Sequence, residues 1–397
     1  MPSASATRAP APARRARGEG GIAPQCRCGT AARERATMRD GAIRASARGS
    51  RCLEAALDMT DDFIAYPLLL TYGVRRYAFG ARAIVERLGK AGVQDGVVAE
   101  TWEVSDHPSE PALVVNGPYR GRPLGALVQA HPDTLVRLGW RGPHLPLLVK
   151  LLDATHVLPV HVHPDDATAA SRYGEPNGKD EAWHVLWAAP GASALVGVRP
   201  DVSPASLRSA LLACAYDDVM LRHPLRAGDT VDVPAGVLHT FGPDTLILEV
   251  QQTSDLAESA VATDVFGRAL TRATWEANVD ATIALLTSDA QPRPSAGVLV
   301  HDGDTHRRVE GCRNERYVLE RWTLRSSVRA HLGEGGFVTF TNLAGPLTIE
   351  FDDGEERIER ASSCVLPASL GPVTLHPEPG SDGDAVLCFE PASIAAT

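Results

Sequence analysis

The sequence predicts a mostly β chain of two barrel- or sandwich-like domains with a few peripheral helices, behind a disordered N-terminal tail. Three observations carry that expectation: many short apolar runs punctuated by glycine and proline, a length of 397 residues, and a low-complexity opening segment. Single cores stop growing near roughly 250–300 residues, so a chain of this length should divide in two.

Residues 1–58 are dominated by Ala, Arg, Pro, Gly and Ser and show no apolar period. Such a segment buries too little apolar surface to offset its ordering entropy and is expected to be disordered. Its arginines loosely imitate a transit peptide, and the reading favoured here is that Met38 or Met59 is the true first residue. The domain expected over 59–290 opens with a strand signal at Ile64, Tyr66 and the run 68–70. A helix follows at 81–88, with Ile84, Val85 and Leu88 on one face and Gly89 ending it. Strands are then expected at 101–105, 113–115, 145–152, 156–163, 183–188, 230–233 and 246–251. Helices interrupt them at 204–214 and 273–286. Residues 287–300, rich in Ser, Pro, Ala and Gly, read as a linker. A second domain at 300–397 is expected from strands at 336–341, 347–351, 363–367, 372–376 and 385–390.

The 39 Lys and Arg against 49 Asp and Glu leave a net charge of -10, so no broad basic surface points to nucleic acid. No run approaches the roughly 18–20 apolar residues of a membrane span. Neither nucleic acid nor membrane is an expected partner; oligomeric state is not assigned. Seven cysteines without a paired CxxC suggest neither a disulfide framework nor a thiolate zinc site, which fits a cytoplasmic protein.

The strongest chemical signal is His161-Val162-His163. Side chains at i and i+2 of a strand leave the same face, so both imidazoles can meet one metal ion; otherwise they are surface or packing histidines. Downstream, residues 228–239 read G-x5-P-x-G-x2-H, a tight turn between strands followed by His239 facing the same interior. Between them, Glu181 shares strand parity with Trp183, Val185 and Trp187. Three imidazoles and a carboxylate suit one divalent ion, zinc by preference, with Mn, Fe, Co or Ni also accepted by such donors.

These features resemble the cupin superfamily. More narrowly, the segments AETWEVSDHP (99–108), NGP (116–118), PLLVKLLDA (146–154), VHPDD (162–166), GKDE (178–181), PAGVLH (234–239) and EVQQTSD (249–255) resemble type I mannose-6-phosphate isomerases, in order, over residues 62–290. The resemblance implies two cupin (jelly-roll) barrels, the second degenerate and without a recurring ligand set. It also implies an aldose-ketose isomerase that interconverts mannose 6-phosphate and fructose 6-phosphate through a cis-enediol, with a sugar phosphate as the small-molecule partner. By the same resemblance His163, Glu181 and His239 are metal ligands, and His161 stands where the family usually has Gln. Lys150 and Glu249 match charged positions near the family's active site and are the candidates for carbonyl polarisation and proton transfer; a strand lysine in an ion pair and a structural carboxylate are the plain alternatives.

Lys179 matches a phosphate-binding lysine. Two other phosphate positions are changed: Pro159 stands where the family has Ser, and Ser259 falls where it has Arg. Arg268 is the nearest candidate replacement, or else an ordinary surface arginine. Trp102 is either barrel core or a wall of the sugar pocket. The changed phosphate positions and His161 leave two other functions open. One is a cupin redirected to another metal-dependent reaction, such as a dioxygenase or an isomerase of a non-phosphorylated sugar; the other is a non-catalytic sugar-binding cupin.

Overall fold

The computed structural model describes residues 62–391, so the expected tail and Cys26, Cys28 and Cys52 lie outside the described residues. The elements up to residue 290 are β1 (Leu68–Leu69), β2 (Gly73–Arg75), α1 (Ala83–Leu88), β3 (Glu100–Val104), β4 (Leu147–Ala154), β5 (His161–Val162), β6 (Glu181–Ala188), β7 (Ser193–Val198), β8 (Met220–Pro224), β9 (Thr230–Val233), β10 (His239–Phe241), β11 (Thr245–Gln252) and β12 (Glu258–Ser259). Five strands form a sheet in the order β12-β5-β10-β7-β8, and six form another in the order β2-β3-β4-β11-β6-β9. Trp183, Val185, Val231 and Ile247 of the six-stranded sheet share one core with Ala194, Val196 and Phe241 of the five-stranded sheet, so the two pack face to face.

The run in β4 is apolar almost throughout because both its faces are buried. Leu147, Val149 and Leu151 enter a core shared with Tyr317, Leu319, Phe337 and Val365, while Leu152 and Ala154 face the five-stranded sheet. Lys150 leaves β4 on that second face, the one that carries the candidate site. Asp153 of β4 ties α1 to the sheet by accepting from the backbone N–H groups of Ala81 and Ala83.

The remaining strands are β13 (Val298–Asp302), β14 (His306–Arg313), β15 (Val318–Leu324), β16 (Val328–Ala330), β17 (Val338–Asn342), β18 (Leu347–Phe351), β19 (Gly354–Ile358), β20 (Ser362–Leu366), β21 (Val373–Pro377) and β22 (Gly383–Phe389). They form sheets ordered β1-β20-β17-β22-β15-β14-β13 and β16-β21-β18-β19, with Phe340, Leu375, Leu387 and Ile349 in a second core. Leu68 and Leu69 therefore pair with β20, far along the chain.

The mostly β class holds, with local departures. The strand expected at 156–163 narrows to His161–Val162, because Pro159 and Pro164 lack the N–H a ladder requires. Residues 113–115 make only isolated bridges, to Pro123 and Leu70. The helix expected at 204–214 stops at Leu211, before Cys214 in the left-handed region at φ 55°. The helix expected at 273–286 spans Arg272–Ala284, capped by the Thr271 side chain. The expected linker is tethered, since Ser295 exchanges both backbone hydrogen bonds with Thr230, and its last residues begin β13. The helix at Leu124–Ala130 escaped prediction; Pro123 precedes it without any side-chain cap.

Candidate metal centre

His161, His163, Glu181 and His239 converge, with one ligand atom from each lying within 4.8 Å of the others. Local chemistry explains the approach. His161 lies directly opposite His239 where β5 pairs with β10. Gly236, at φ 79°, makes the turn into β10, and its N–H donates to the carbonyl of His163. Gly178 brings the Glu181 segment against the turn after β5; a Cβ there would lie 2.4 Å from the carbonyl carbon of Asp165. Glu181 is the first residue of β6, with Trp183 two residues on donating its indole N–H to the carboxylate at 2.8 Å.

The imidazoles are held from behind. Nδ1–H of His161 donates to Pro159 O at 2.8 Å, that of His163 to Leu256 O at 2.6 Å and that of His239 to Val237 O at 2.8 Å. A carbonyl can only accept, so Nδ1 carries the proton and each neutral ring presents its Nε2 lone pair to the cluster. His161 Nε2 and His239 Nε2 stand 2.9 Å apart, and Glu181 lies 3.2 Å from Nε2 of both His163 and His239. Burial opposes protonation: it lowers His161 well below the usual histidine range and His163 to about 4, where the Lys179 charge adds to the effect. The lone pairs of His161 and His239, facing one another at 2.9 Å, are mutually repulsive unless a cation lies between them. The residues present therefore fit a divalent ion, with His161 the partly exposed member.

Next to this cluster, buried charges alternate in sign. Lys179 Nζ lies 2.8 Å from Glu181 and 3.5 Å from Glu249, and Lys150 Nζ lies 3.5 Å from Glu249 and 3.9 Å from Glu100. Lys150 and Glu249 are direct cross-strand neighbours on β4 and β11. Burial and the nearby Glu181 charge raise the Glu249 carboxyl above its usual value, against the pull of Lys179 and Lys150. For Glu181, burial acts upward but the Lys179 charge 2.8 Å away wins, and its carboxyl lies well below the usual range. Lys179 is likewise raised despite its burial, by Glu181 and Glu249.

Of the other residues singled out by sequence, Lys179 reaches the metal cluster itself, donating to His163 Nε2 at 3.2 Å. Trp102 is fully buried beside the charge chain: its indole donates to Glu100 at 2.8 Å and Lys150 Nζ lies 4.6 Å from its ring centroid. Arg268 is exposed on a turn, paired at 2.6 Å with Asp264, and is not brought to the cluster. Pro159 serves through its carbonyl, and Ser259 sits opposite His161 on β12. Sequence reading missed Glu100 as a member of the charge chain, and with it Arg75 and His107, which flank Trp102 at 4.5 and 5.7 Å. The parity of Glu100 with Trp102 on β3 was the available signal.

A mostly β chain with three fixed imidazoles and one carboxylate around a common point has the donor set of a metal-binding β protein. Comparison with known proteins narrows this. Residues 68–186 match the family model for phosphomannose isomerase type I, catalytic domain. The mannose-6-phosphate isomerase of Streptococcus mutans is 35% identical over 192 residues, 48% of this chain and 59% of that protein. The chain thus spans about six-tenths of the length of that relative. The putative mannose-6-phosphate isomerase YvyI of Bacillus subtilis is 32% identical over 189 residues, 48% of this chain and 58% of that protein. Among solved structures, the mannose 6-phosphate isomerase from Bacillus subtilis matches with a TM-score of 0.70 at 22% identity, covering 81% of this chain and 98% of the other. A putative mannosephosphate isomerase from Archaeoglobus fulgidus matches with a TM-score of 0.64, also at 22% identity, covering 82% and 98%. The chain resembles type I mannose-6-phosphate isomerases in sequence over its site-bearing half and shares their fold.

Proposed function

We propose that this chain is a metal-dependent aldose-ketose isomerase interconverting mannose 6-phosphate and fructose 6-phosphate through a cis-enediol. The observation that carries the reading is the buried pair Lys150 and Glu249, 3.5 Å apart, within the charge chain that ends at the four-donor cluster. His161, His163, Glu181 and His239 hold one divalent ion, zinc by preference. When bound, that ion supplies positive charge that stabilises the developing enediolate.

Glu249 is the proton carrier. Its raised carboxyl pKa brings it nearer the working range of a general base, and it takes the carbon-bound proton from C2 of the aldose and returns it to C1. Lys150 polarises the carbonyl oxygen, while the hydroxyl proton passes from O2 to O1, so the sugar gains and loses no atoms. Trp102 closes one wall and excludes water. Lys179 orients the substrate from the metal side. Arg268, paired to Asp264 on an exposed turn, has no part in this reading.

Two facing pairs of sheets, each with its own core, support reading 59–290 and 300–397 as two cupin jelly rolls. Among the described residues the donor cluster occurs in the first alone. None of the described helices is long and apolar enough to cross a membrane, and we place the reaction in the cytoplasm.

One observation favours a different sugar. Pro159 and Ser259 replace the family's phosphate-binding residues, and Ser259 Oγ is turned to Val160 O at 3.4 Å. An isomerase of a non-phosphorylated sugar would tolerate that loss. Assays with mannose 6-phosphate and with free mannose, before and after chelation, separate the readings. Turnover of the phosphate that chelation abolishes is expected; turnover of mannose alone selects the second reading, and metal-loaded protein inert to both sinks the isomerase proposal.

A further inference from the structure

We infer that Arg316, carried by a tight turn of the second β region, is a positioning residue for the metal centre of the first; the inference rests on the metal reading of the four-donor cluster. Asn314 builds the turn by accepting from the backbone N–H groups of Arg316 and Tyr317 at 2.8 and 2.9 Å. The same side chain donates to Asp232 at 2.9 Å, and Tyr317 OH donates to Asp232 at 3.1 Å, which anchors the turn to β9. Arg316 is thereby aimed at two carboxylates, Asp166 at 2.6 Å and Asp180 at 3.5 Å.

Those two carboxylates tie the ligand-bearing segments together. Asp166, three residues after His163, accepts from Gly178 N at 2.8 Å and Gln252 Nε2 at 3.0 Å. Asp180 precedes Glu181 and accepts from Ala235 N at 2.7 Å, in the turn that leads to His239. Its own N–H donates to Gln252 at 3.0 Å. Arg316 is a cation that both aspartates share; without it they keep these hydrogen bonds but lose the charge that draws the segments carrying His163, Glu181 and His239 together. The ion pairs are partly exposed, with Arg316 44% accessible, so they add little to global stability. Their effect falls on the spacing of donors, to which a metal site is sensitive.

The test uses the full chain, stripped of metal and titrated with Co(II), following the visible absorption of the bound ion and its dissociation constant by chelator competition. Arg316→Met is expected to weaken Co(II) binding roughly tenfold and to shift the absorption band, while the metal-free protein melts within about 3 °C of the parent. Arg316→Lys keeps the charge but not the fork and should fall between the two. Arg316→Met binding within twofold of the parent, with an unchanged spectrum, overturns the inference. Parent protein that takes up no cobalt sinks the metal reading and this inference with it.

Discussion

Among the described residues three strands carry the same local device, and two of them contribute to the candidate site. Glu100 and Trp102, Glu181 and Trp183, and Glu320 and Trp322 each stand two apart on a strand, the indole N–H donating to the carboxylate at 2.8, 2.8 and 2.7 Å. In the first β region the carboxylates look towards Lys150 and towards the imidazoles of His163 and His239. In the second, Glu320 is paired by Arg308 at 2.8 Å, while Trp322 sits among Val318, Leu324 and Phe340. The indole makes a buried carboxylate tolerable. The candidate site arises where neighbouring strands add donors and cations on the same face.

The comparison breaks most sharply at the ligands. His163→Ala or His239→Ala removes one of four donors, and metal content should fall from about one ion per chain to near zero. Glu320→Gln in the second region should leave it unchanged. Elemental analysis of the three purified proteins decides this, and metal lost on Glu320→Gln would mean the second region is a site after all.

A step smaller, Glu249→Gln keeps shape and metal while removing the base. It should slow isomerisation by roughly 10²–10⁴-fold, at unchanged metal content. Steady-state rates on mannose 6-phosphate read this, and an unslowed variant makes Glu249 structural. In the second region the corresponding loss is one of packing: Phe340→Ala, fully buried, should cost about 3–5 kcal/mol in denaturant unfolding. Metal bound to the folded fraction should stay the same.

How much of this could be read from the chain follows the same division. His161, His163 and His239 were legible because spacing alone puts two on one strand face and the third behind a Pro-Gly turn. Glu181 was legible by parity with Trp183. Lys179 was singled out as a phosphate-binding lysine, while its place against His163 and Glu181 was not legible. What escaped depends on partners distant in sequence. Arg316 is one arginine among many until a turn brings it to Asp166, 150 residues earlier, and Glu100 gains meaning only when β3 lies beside β4. The buried pair Lys90 and Glu103, 2.8 Å apart, belongs with them: the same ammonium donates to Ala361 O across the two regions, and no local pattern announces it. The short β5 was misjudged because apolar residues suggested a long strand, while Pro159 and Pro164 set its limits.

The smallest predicted effect concerns a histidine of the first region that is no ligand. His184 lies on β6 one residue past Trp183 and so on the opposite face; its Nδ1 shares a hydrogen bond with Thr230 at 3.0 Å and its Nε2 is buried without a partner. Burial, with the charge of Arg321 adding to it, lowers its pKa to about 3. Above the unfolded value near 6.5 both states are neutral there and the residue contributes no pH dependence. Below it the unfolded chain takes up a proton that the folded chain refuses, so stability falls as the pH drops towards 3. Between pH 7 and pH 5 the loss is about 2 kcal/mol. His184→Leu removes the titrating group, so denaturant unfolding of variant and parent should diverge by that amount over the interval. Parallel losses in the two proteins would show that the acid sensitivity belongs to other groups, leaving His184 a neutral packing residue between the two β regions.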